Sequence, residues 1–370
     1  VSRIVFAPDS FKGSATAHSV ARALAGGWAS VRPLDEQVLL PLADGGEGTI
    51  DAFADAVPCS RRMPVRVMGP DGGPDSAVVD AEWLLLPGGT GLVELANTSG
   101  LTLLGRLRPV DAHTRGFGQA VRAALDHGVT RLVLAIGGSA STDGGAGALV
   151  ELGARLLDAE GSPIADGNRG LHTLATLDLS ELRPPPPGGV AVLCDVTNPL
   201  LGARGSARVF GPQKGATSTG LVDELERGLA ILAAALPAVD AEAPGAGAAG
   251  GAGFGLVAWG AELVSGSDEV ARLSNLDAAV AAADVVITGE GSFDDQSAEG
   301  KVPARVLAAA RAVSALPMLV AGRITVSHDD FAEAVSLTDL AGSPERSLRA
   351  PLENAWRAGA LVATRFSERG

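Results

Sequence analysis

Short β-branched and apolar runs alternate along this chain with stretches whose apolar residues recur every three or four positions. Ile4–Ala7 is such a run and breaks at Pro8-Asp9-Ser10. Val20, Ala21, Leu24 and Trp28 then carry helical spacing, which predicts a helix over His18–Ser30. Gln37–Leu42 is a second apolar run, followed by the glycine cluster Asp44–Gly48 and a helix expected over Thr49–Ala56. Near the other end, Asp284–Thr288 predicts a buried strand that stops at Gly289. Val302–Val313 predicts a helix, Pro317–Ala321 and Ala334–Leu337 two strands, and Leu348–Phe366 a final helix. Strands alternating with helices imply parallel pairing through right-handed crossovers. The two ends, 1–60 and 283–370, therefore read as one parallel α/β domain.

The middle, 61–282, reads as an insertion. Between Val65 and Glu94, short apolar runs are separated by a Gly/Pro turn (Gly69-Pro70-Asp71-Gly72-Gly73), which suggests hairpins. A helix (Phe117–His127), a strand (Arg131–Ile136), a helix (Gly147–Leu157) and a strand (Val190–Cys194) follow. Pro184–Pro187 reads as a stiff surface loop.

Composition narrows the function classes. With 46% hydrophobic residues the 370-residue chain has ample material for a core. A formal charge of −14 argues against nucleic acid or an anionic membrane as partner, because phosphate surfaces demand a basic face. Cys59 and Cys194 form no CxxC pair, so a disulfide scaffold is not expected and a reducing compartment is. No run of 18 apolar residues suggests a membrane span. The opening Val1–Phe6 lacks the apolar core and cleavage site of a signal peptide. A cytoplasmic protein is expected.

The candidate chemistry sits in glycine-rich loops after strands, where parallel α/β domains collect ligands. The first loop, 7–14, places Asp9, Ser10 and Lys12 just beyond the first strand. In Ile136–Gly147, Gly137, Gly138 and Ser139 open a cradle that lets backbone N–H groups approach an anion, with Asp143 as a cap or a partner of metal-bound water. Asp195 and Asn198 follow the strand ending at Cys194. Glu290 and Asp294 follow the one ending at Thr288. Carboxylates at strand ends suit Mg²⁺ or a base that accepts a hydroxyl proton. Gln213 and Lys214 either hold phosphate or acceptor oxygens or lie as surface groups in a turn. Gly245–Gly250 fits GxGxxG literally, but no strand precedes it, so a dinucleotide fingerprint is discounted. There is no zinc spacing among the five His and no P-loop. Phosphoryl transfer fits this inventory best, because it needs positioning, a metal and a base.

Read together, the loops resemble the glycerate kinase family. The matching stretches are APDSFKGS (7–14), PLADGGEGT (41–49), GGTGLVELANTSGL (88–101), IGGSASTDGGAGAL (136–149), CDVTNPL (194–200), FGPQKGA (210–216), PGAGAAGGAGFGL (244–256) and GEGSFDDQSAEGKVP (289–303). They occur in family order across nearly the whole chain. The resemblance implies a Rossmann-like α/β domain from both termini, an inserted mixed α/β domain, and an active site in the cleft between them. It also implies ATP with Mg²⁺ and D-glycerate phosphorylated at its 2-hydroxyl. Ser292 stands where the family usually has Arg, Thr142 where Asn is usual, and Phe117 and Gln119 depart from a stretch that usually ends Gly-Thr-Gly-Glu.

On this reading Asp195, Lys12 and Asp294 are the catalytic candidates. Asp195 accepts or orients the acceptor hydroxyl, and Lys12 neutralises the transferring phosphate. Glu290 and Asp294 face one Mg²⁺. Binding residues are Asp9, Ser10, Asp44, Glu47, Gly137, Gly138, Ser139, Asn198, Gln213, Lys214, Gln296 and Lys301. Partners are a small hydroxyl acceptor and ATP, and the chain is a monomer or homodimer. The loss of arginine at Ser292 keeps open a kinase of a neutral polyol, sugar or cyclitol, with Arg323 or Arg115 as possible replacements. A non-catalytic ligand sensor on the same scaffold is the alternative of a different class.

Overall fold

The computed structural model describes residues 1–11, 13–71, 77–295 and 301–369. Two compact units emerge. One comprises Val1–Asp44, Asp51–Pro58 and Ser265–Gly370; the other comprises Gly45–Ile50 and Cys59–Val264. Strands are numbered along the chain.

The terminal unit is built on a sheet of β1 (Arg3–Pro8), β2 (Glu36–Leu39), β11 (Val285–Gly289), β13 (Leu316–Ala321) and β15 (Glu333–Ser336). Its order is β15-β13-β11-β1-β2, and every pairing is parallel. Ile4 to Ala7 and Val285 to Ile287 are wholly buried, as continuous apolar strands covered on both faces must be. The helix Ala17–Val31 starts at Thr16, whose side chain accepts from the Ser19 N–H at 3.2 Å. It buries Val20, Leu24 and Trp28 and packs beside the helix Pro351–Ser367. The strand order reverses direction between β1 and β11. A short parallel ribbon, β12 (Ser292–Phe293) with β14 (Arg323–Ile324), follows the carboxyl ends of β11 and β13.

The insert carries β3 (Arg61–Met68), β4 (Val78–Leu86), β5 (Thr90–Glu94), β6 (Arg131–Ala135), β9 (Val190–Leu193) and β10 (Glu262–Val264) in the order β10-β9-β6-β5-β4-β3. β3, β4 and β5 pair antiparallel, which gives the hairpins expected there. The Gly72-Gly73 part of their turn lies outside the described residues. β5, β6, β9 and β10 are parallel. One hydrophobic core, including Leu132, Leu134, Val192 and Phe254, fills this unit.

Several sequence expectations are corrected. The insert ends at Val264, not 282. The helices Gly266–Leu273 and Leu276–Val280 belong to the terminal unit, where Arg305 bonds Asp268 at 3.3 Å and Asp277 at 2.8 Å. The helix expected over Gly147–Leu157 is Ala146–Glu151; Arg155–Leu157 is instead β7, paired antiparallel with β8 (Thr176–Asp178). The last helix is two, Pro344–Arg349 and Pro351–Ser367, because Pro351 disfavours helical backbone at Ala350. The helix Thr219–Ala235, capped by Ser218 and burying Leu225, Leu229 and Leu232, has no counterpart in the sequence reading. Among the described residues, no helix is long and apolar enough to cross a membrane. Cys59 and Cys194 are free thiols.

Candidate active site

In the terminal unit a cavity of about 380 Å³ opens at the carboxyl ends of the parallel strands. Asp9 follows β1 and Glu290 follows β11, and these strands are register partners through Pro8 and Gly289. That is the point where strand order reverses, the usual ligand crevice of an open parallel sheet. The Asp9 N–H donates to the Gly289 carbonyl at 2.8 Å, and Asp9 Oδ1 accepts from the Ser10 N–H at 2.6 Å. Asp9 and Glu290 are both buried, at 3% and 6% exposure. Ser10, Ser292, Asp294, Lys301 and Arg323 line the same space. Ser292 Oγ donates to Asp294 Oδ2 at 3.2 Å and accepts from Arg323 Nε at 2.9 Å. Five of the residues singled out from sequence thus meet in one cavity: Asp9, Ser10, Glu290, Asp294 and Lys301.

The insert gathers its loops at the carboxyl ends of β5, β6 and β9. Gly137 donates its N–H to the Gly45 carbonyl at 3.1 Å, and a side chain at 137 would meet the Gly46 Cα at 2.6 Å. Glycine at 137 therefore allows two loops to touch. Glu94, at the end of β5, is buried and accepts from the N–H groups of Gly48 (3.1 Å) and Ile50 (2.9 Å). Its carboxylate thereby holds the start of the helix Thr49–Ala56, a capping role that sequence reading missed. Asp143 is fully buried and accepts from Thr114 N (2.9 Å), Thr114 Oγ1 (2.8 Å), Gly145 N (3.2 Å) and Gly147 N (3.2 Å). It caps and ties its loop, one of the two roles considered for it.

Lys214 is not the solvated turn residue considered above. It is buried, donating to Ser139 Oγ at 2.8 Å and to the Ser141 carbonyl. Burial pushes its ammonium pKa down to about 7, against the pull of nearby Asp143. The Ala249-Gly250-Gly251 stretch, in left-handed backbone, closes over it: a Cβ on Gly250 would lie 1.9 Å from the Ser141 carbonyl oxygen and 2.8 Å from Lys214 Nζ. The literal GxGxxG is therefore an internal brace around Lys214.

The other described sequence candidates are not among the residues that line the terminal unit's cavity. Asp195 is half-buried just beyond β9. Its neighbour Cys194 is held as a thiol because burial pushes its pKa up. Asn198 uses its side-chain amide on the Arg204 carbonyl at 2.7 Å, which fixes the loop behind Asp195. Gly138, Glu47 and Gln213 are exposed, Gly137 and Asp44 are half-buried, and Ser139 is buried with Lys214. Lys12 and Gln296 lie outside the described residues. Arg323, which lines the cavity, was singled out only as a possible replacement, because its β12–β14 pairing is not readable from local pattern.

The model of the glycerate kinase family matches residues 4–367 of this chain. The chain belongs to the glycerate kinase family. It is 40% identical to the glycerate 2-kinase of Escherichia coli (strain K12), over 98% of this chain and 97% of that one. It is 41% identical to the glycerate kinase of Bacillus subtilis (strain 168), over 87% and 85% of the two chains. It also resembles a crystal structure of a protein assigned as glycerate kinase 2 from Salmonella typhimurium LT2. The TM-score there is 0.83 at 37% identity, covering 100% of this chain and 99% of that one.

Against the glycerate kinase pattern, the departures fall into two kinds. Thr142 and Phe117 are buried in the insert, and Gln119 bonds the Met68 N–H (2.8 Å) and Glu151 (3.3 Å). These are packing positions. Arg115 is committed there too, to Glu151 (2.7 Å) and Asp166 (3.3 Å). Ser292 alone of the four lines the cavity.

Proposed function

We propose that the protein phosphorylates D-glycerate with ATP, at the 2-hydroxyl, and that loops of both units take part. The observation that carries this reading is the cavity at the strand-order reversal, where the acids Asp9, Glu290 and Asp294 sit with Lys301 and Arg323. In the reaction the acceptor hydroxyl oxygen forms a bond to the γ-phosphorus while the bond from that phosphorus to the β–γ bridging oxygen breaks. The hydroxyl proton passes to Asp195, which stands half-buried at a strand end with its loop fixed by Asn198. ADP leaves with the bridging oxygen. Lys301, with Lys12, stabilises charge on the transferring group as a point cation. The backbone at Gly138 and Ser139 and the side chains of Asp44, Glu47 and Gln213 are available to phosphate or acceptor oxygens. Lys214 supports the Ser139 loop from beneath.

Among the described residues, no three His, Cys, Asp or Glu side chains are placed to hold a metal ion by themselves. Mg²⁺ does not need such a cage: it keeps waters and takes one or two carboxylates with the substrate phosphates. Glu290 and Asp294, hard oxygen donors lining one cavity, fit that demand. Bound there, Mg²⁺ would neutralise phosphate charge.

The test is ATP turnover on D-glycerate and on a panel of neutral polyols, with the product identified by phosphorus NMR. Formation of 2-phosphoglycerate supports the proposal. Turnover of polyols alone would move the acceptor to the neutral class, and ATP binding with no turnover on any acceptor would make the chain a sensor.

A further inference from the structure

The geometry points to Arg323 as the residue that selects an acceptor carrying a carboxylate. This rests on the glycerate kinase reading above and adds to it the group that recognises the acid.

The argument starts from register. In the β12–β14 ribbon, Ser292 and Arg323 are direct partners, and Phe293 pairs with Ile324. Side chains at partnered positions of adjacent strands lie side by side. A guanidinium rooted at 323 can therefore serve the part of the cavity that one rooted at 292 would serve. The ribbon is firmly held. Gly322 N–H donates to the Glu290 carbonyl (2.9 Å), Arg323 N–H to the Gly291 carbonyl (3.2 Å) and Thr325 N–H to the Phe293 carbonyl (3.0 Å). Thr338 adds two more bonds to the Gly322 carbonyl, from its N–H (2.9 Å) and its hydroxyl (2.8 Å).

The side chain is fixed at one edge only. Arg323 Nε donates to Ser292 Oγ at 2.9 Å. Arg323 is exposed, lines the cavity and makes no ion pair among the described residues. Arg115, Arg305 and Arg365 sit on carboxylates of the protein; other arginines lack an ion pair as Arg323 does, but among the described arginines Arg323 is the one that lines this cavity. A guanidinium oriented through Nε presents its terminal nitrogens as a planar fork, which matches a carboxylate through two parallel hydrogen bonds. The other cavity groups suit other parts of the substrates. Glu290 and Asp294 suit a hydrated cation, and Lys301 suits phosphate. The carboxylate of the acceptor is the anion left for Arg323.

Steady-state kinetics of the intact enzyme test this with Arg323→Ala, Arg323→Lys and the exchanged pair Ser292→Arg with Arg323→Ser. Each variant is first checked for an unchanged melting curve, and the exposed position of Arg323 makes folding of the lysine variant secure. We expect Arg323→Ala to raise KM for D-glycerate by about 10- to 100-fold, the size of a lost charge-assisted pair. KM for ATP should stay within about threefold. Arg323→Lys should fall between, and the exchanged pair should recover part of the loss. Preference for glycerate over its neutral amide should collapse in Arg323→Ala. A raised KM for ATP with glycerate unaffected would make Arg323 a phosphate reader and overturn the inference. So would unchanged kinetics for both substrates in an enzyme that uses glycerate. Wild-type protein that does not turn over glycerate would remove the functional reading itself, a result distinct from both.

Discussion

The same residue types do opposite work in the two units. At the strand ends of the terminal unit, Asp9, Glu290, Asp294, Lys301 and Arg323 line one open cavity. In the insert, Glu94 at the end of β5, Asp143 in the loop after β6 and Lys214 in a short turn are buried and hold the chain around them: Glu94 the start of a helix, Asp143 two donors of its own loop and two of Thr114, Lys214 a carbonyl and a serine. A charged group at the end of a parallel strand is thus either presented to a ligand or committed to shaping the loop that presents others. Burial alone does not decide which: Asp9 and Glu290 are about as buried as Glu94 and still line the cavity, whereas Glu94, Asp143 and Lys214 meet the cost of a buried charge with backbone and hydroxyl partners. Asp195 is the exception on the insert's side, a half-buried carboxylate that follows a strand. The contrast predicts that lining groups lose activity and keep stability when changed, and that groups committed to holding a loop do the reverse.

The largest effect belongs to Asp195. Asp195→Asn keeps shape and removes the proposed proton acceptor, so turnover should drop by at least about a hundredfold. ATP binding and the melting temperature should barely move. Near-normal turnover would transfer the role to Asp294 or Asp44 and erase the exception. Asp143→Ala should act in the opposite way. Removing a carboxylate with four buried or half-buried donors leaves those donors unsatisfied and should cost about 3 kcal/mol of stability. Denaturant unfolding reads this directly. Unchanged stability with turnover lost would place Asp143 among the reacting groups and break the contrast.

How much of this was legible depended on whether the deciding contact was local. Ile4–Ala7 and Asp284–Thr288 read as buried strands because each apolar run is continuous, and continuous runs are what a doubly covered parallel sheet requires. The acids and glycines that follow them could be placed at strand ends for the same reason. The boundary at Val264 was not legible, since Ser265–Ala282 joins the terminal unit through Arg305, some thirty residues on. Lys214 looked like a turn residue because its neighbours Pro212, Gln213 and Gly215 are turn formers; its partners Ser139 and Ser141 lie over seventy positions away. Glu94 resembled any strand-end acid until Gly48 and Ile50 appeared beside it. Arg323 needed the β12–β14 register before it could be set against Ser292.

Glu94 sharpens the comparison with a smaller effect. Glu94→Gln retains an acceptor for one of the two N–H groups and removes negative charge from a helix start. The expected loss is about 1 kcal/mol, seen as a lower melting temperature. Turnover at a temperature where both proteins are folded should change by less than about threefold. A loss of hundredfold or more in turnover with melting unchanged would move Glu94 to the side of the lining groups.

The smallest effect near neutral pH, and the one with the clearest signature, is that of Lys214→Met. Methionine leaves Ser139 Oγ and the Ser141 carbonyl without the ammonium, costing about 2 kcal/mol for two hydrogen bonds. It also removes the desolvation cost of a buried cation, which offsets a similar amount. The pH dependence separates these contributions. Burial lowers the folded-state pKa of Lys214 from 10.5 to about 7. Below pH 7 both folded and unfolded chains hold the proton, so Lys214 adds no slope. Between about 7 and 10.5 the unfolded chain holds more protons than the folded one, and stability contributed at this site rises with pH. Methionine has no such proton. The stability of the wild type relative to Lys214→Met should therefore be flat below pH 7 and climb above it, measured by urea unfolding from pH 6 to pH 10. A flat difference over the whole range would mean that the ammonium stays charged, held by Asp143 and its two acceptors. Lys214 would then be a buried ion-pair partner whose positive charge the loop depends on.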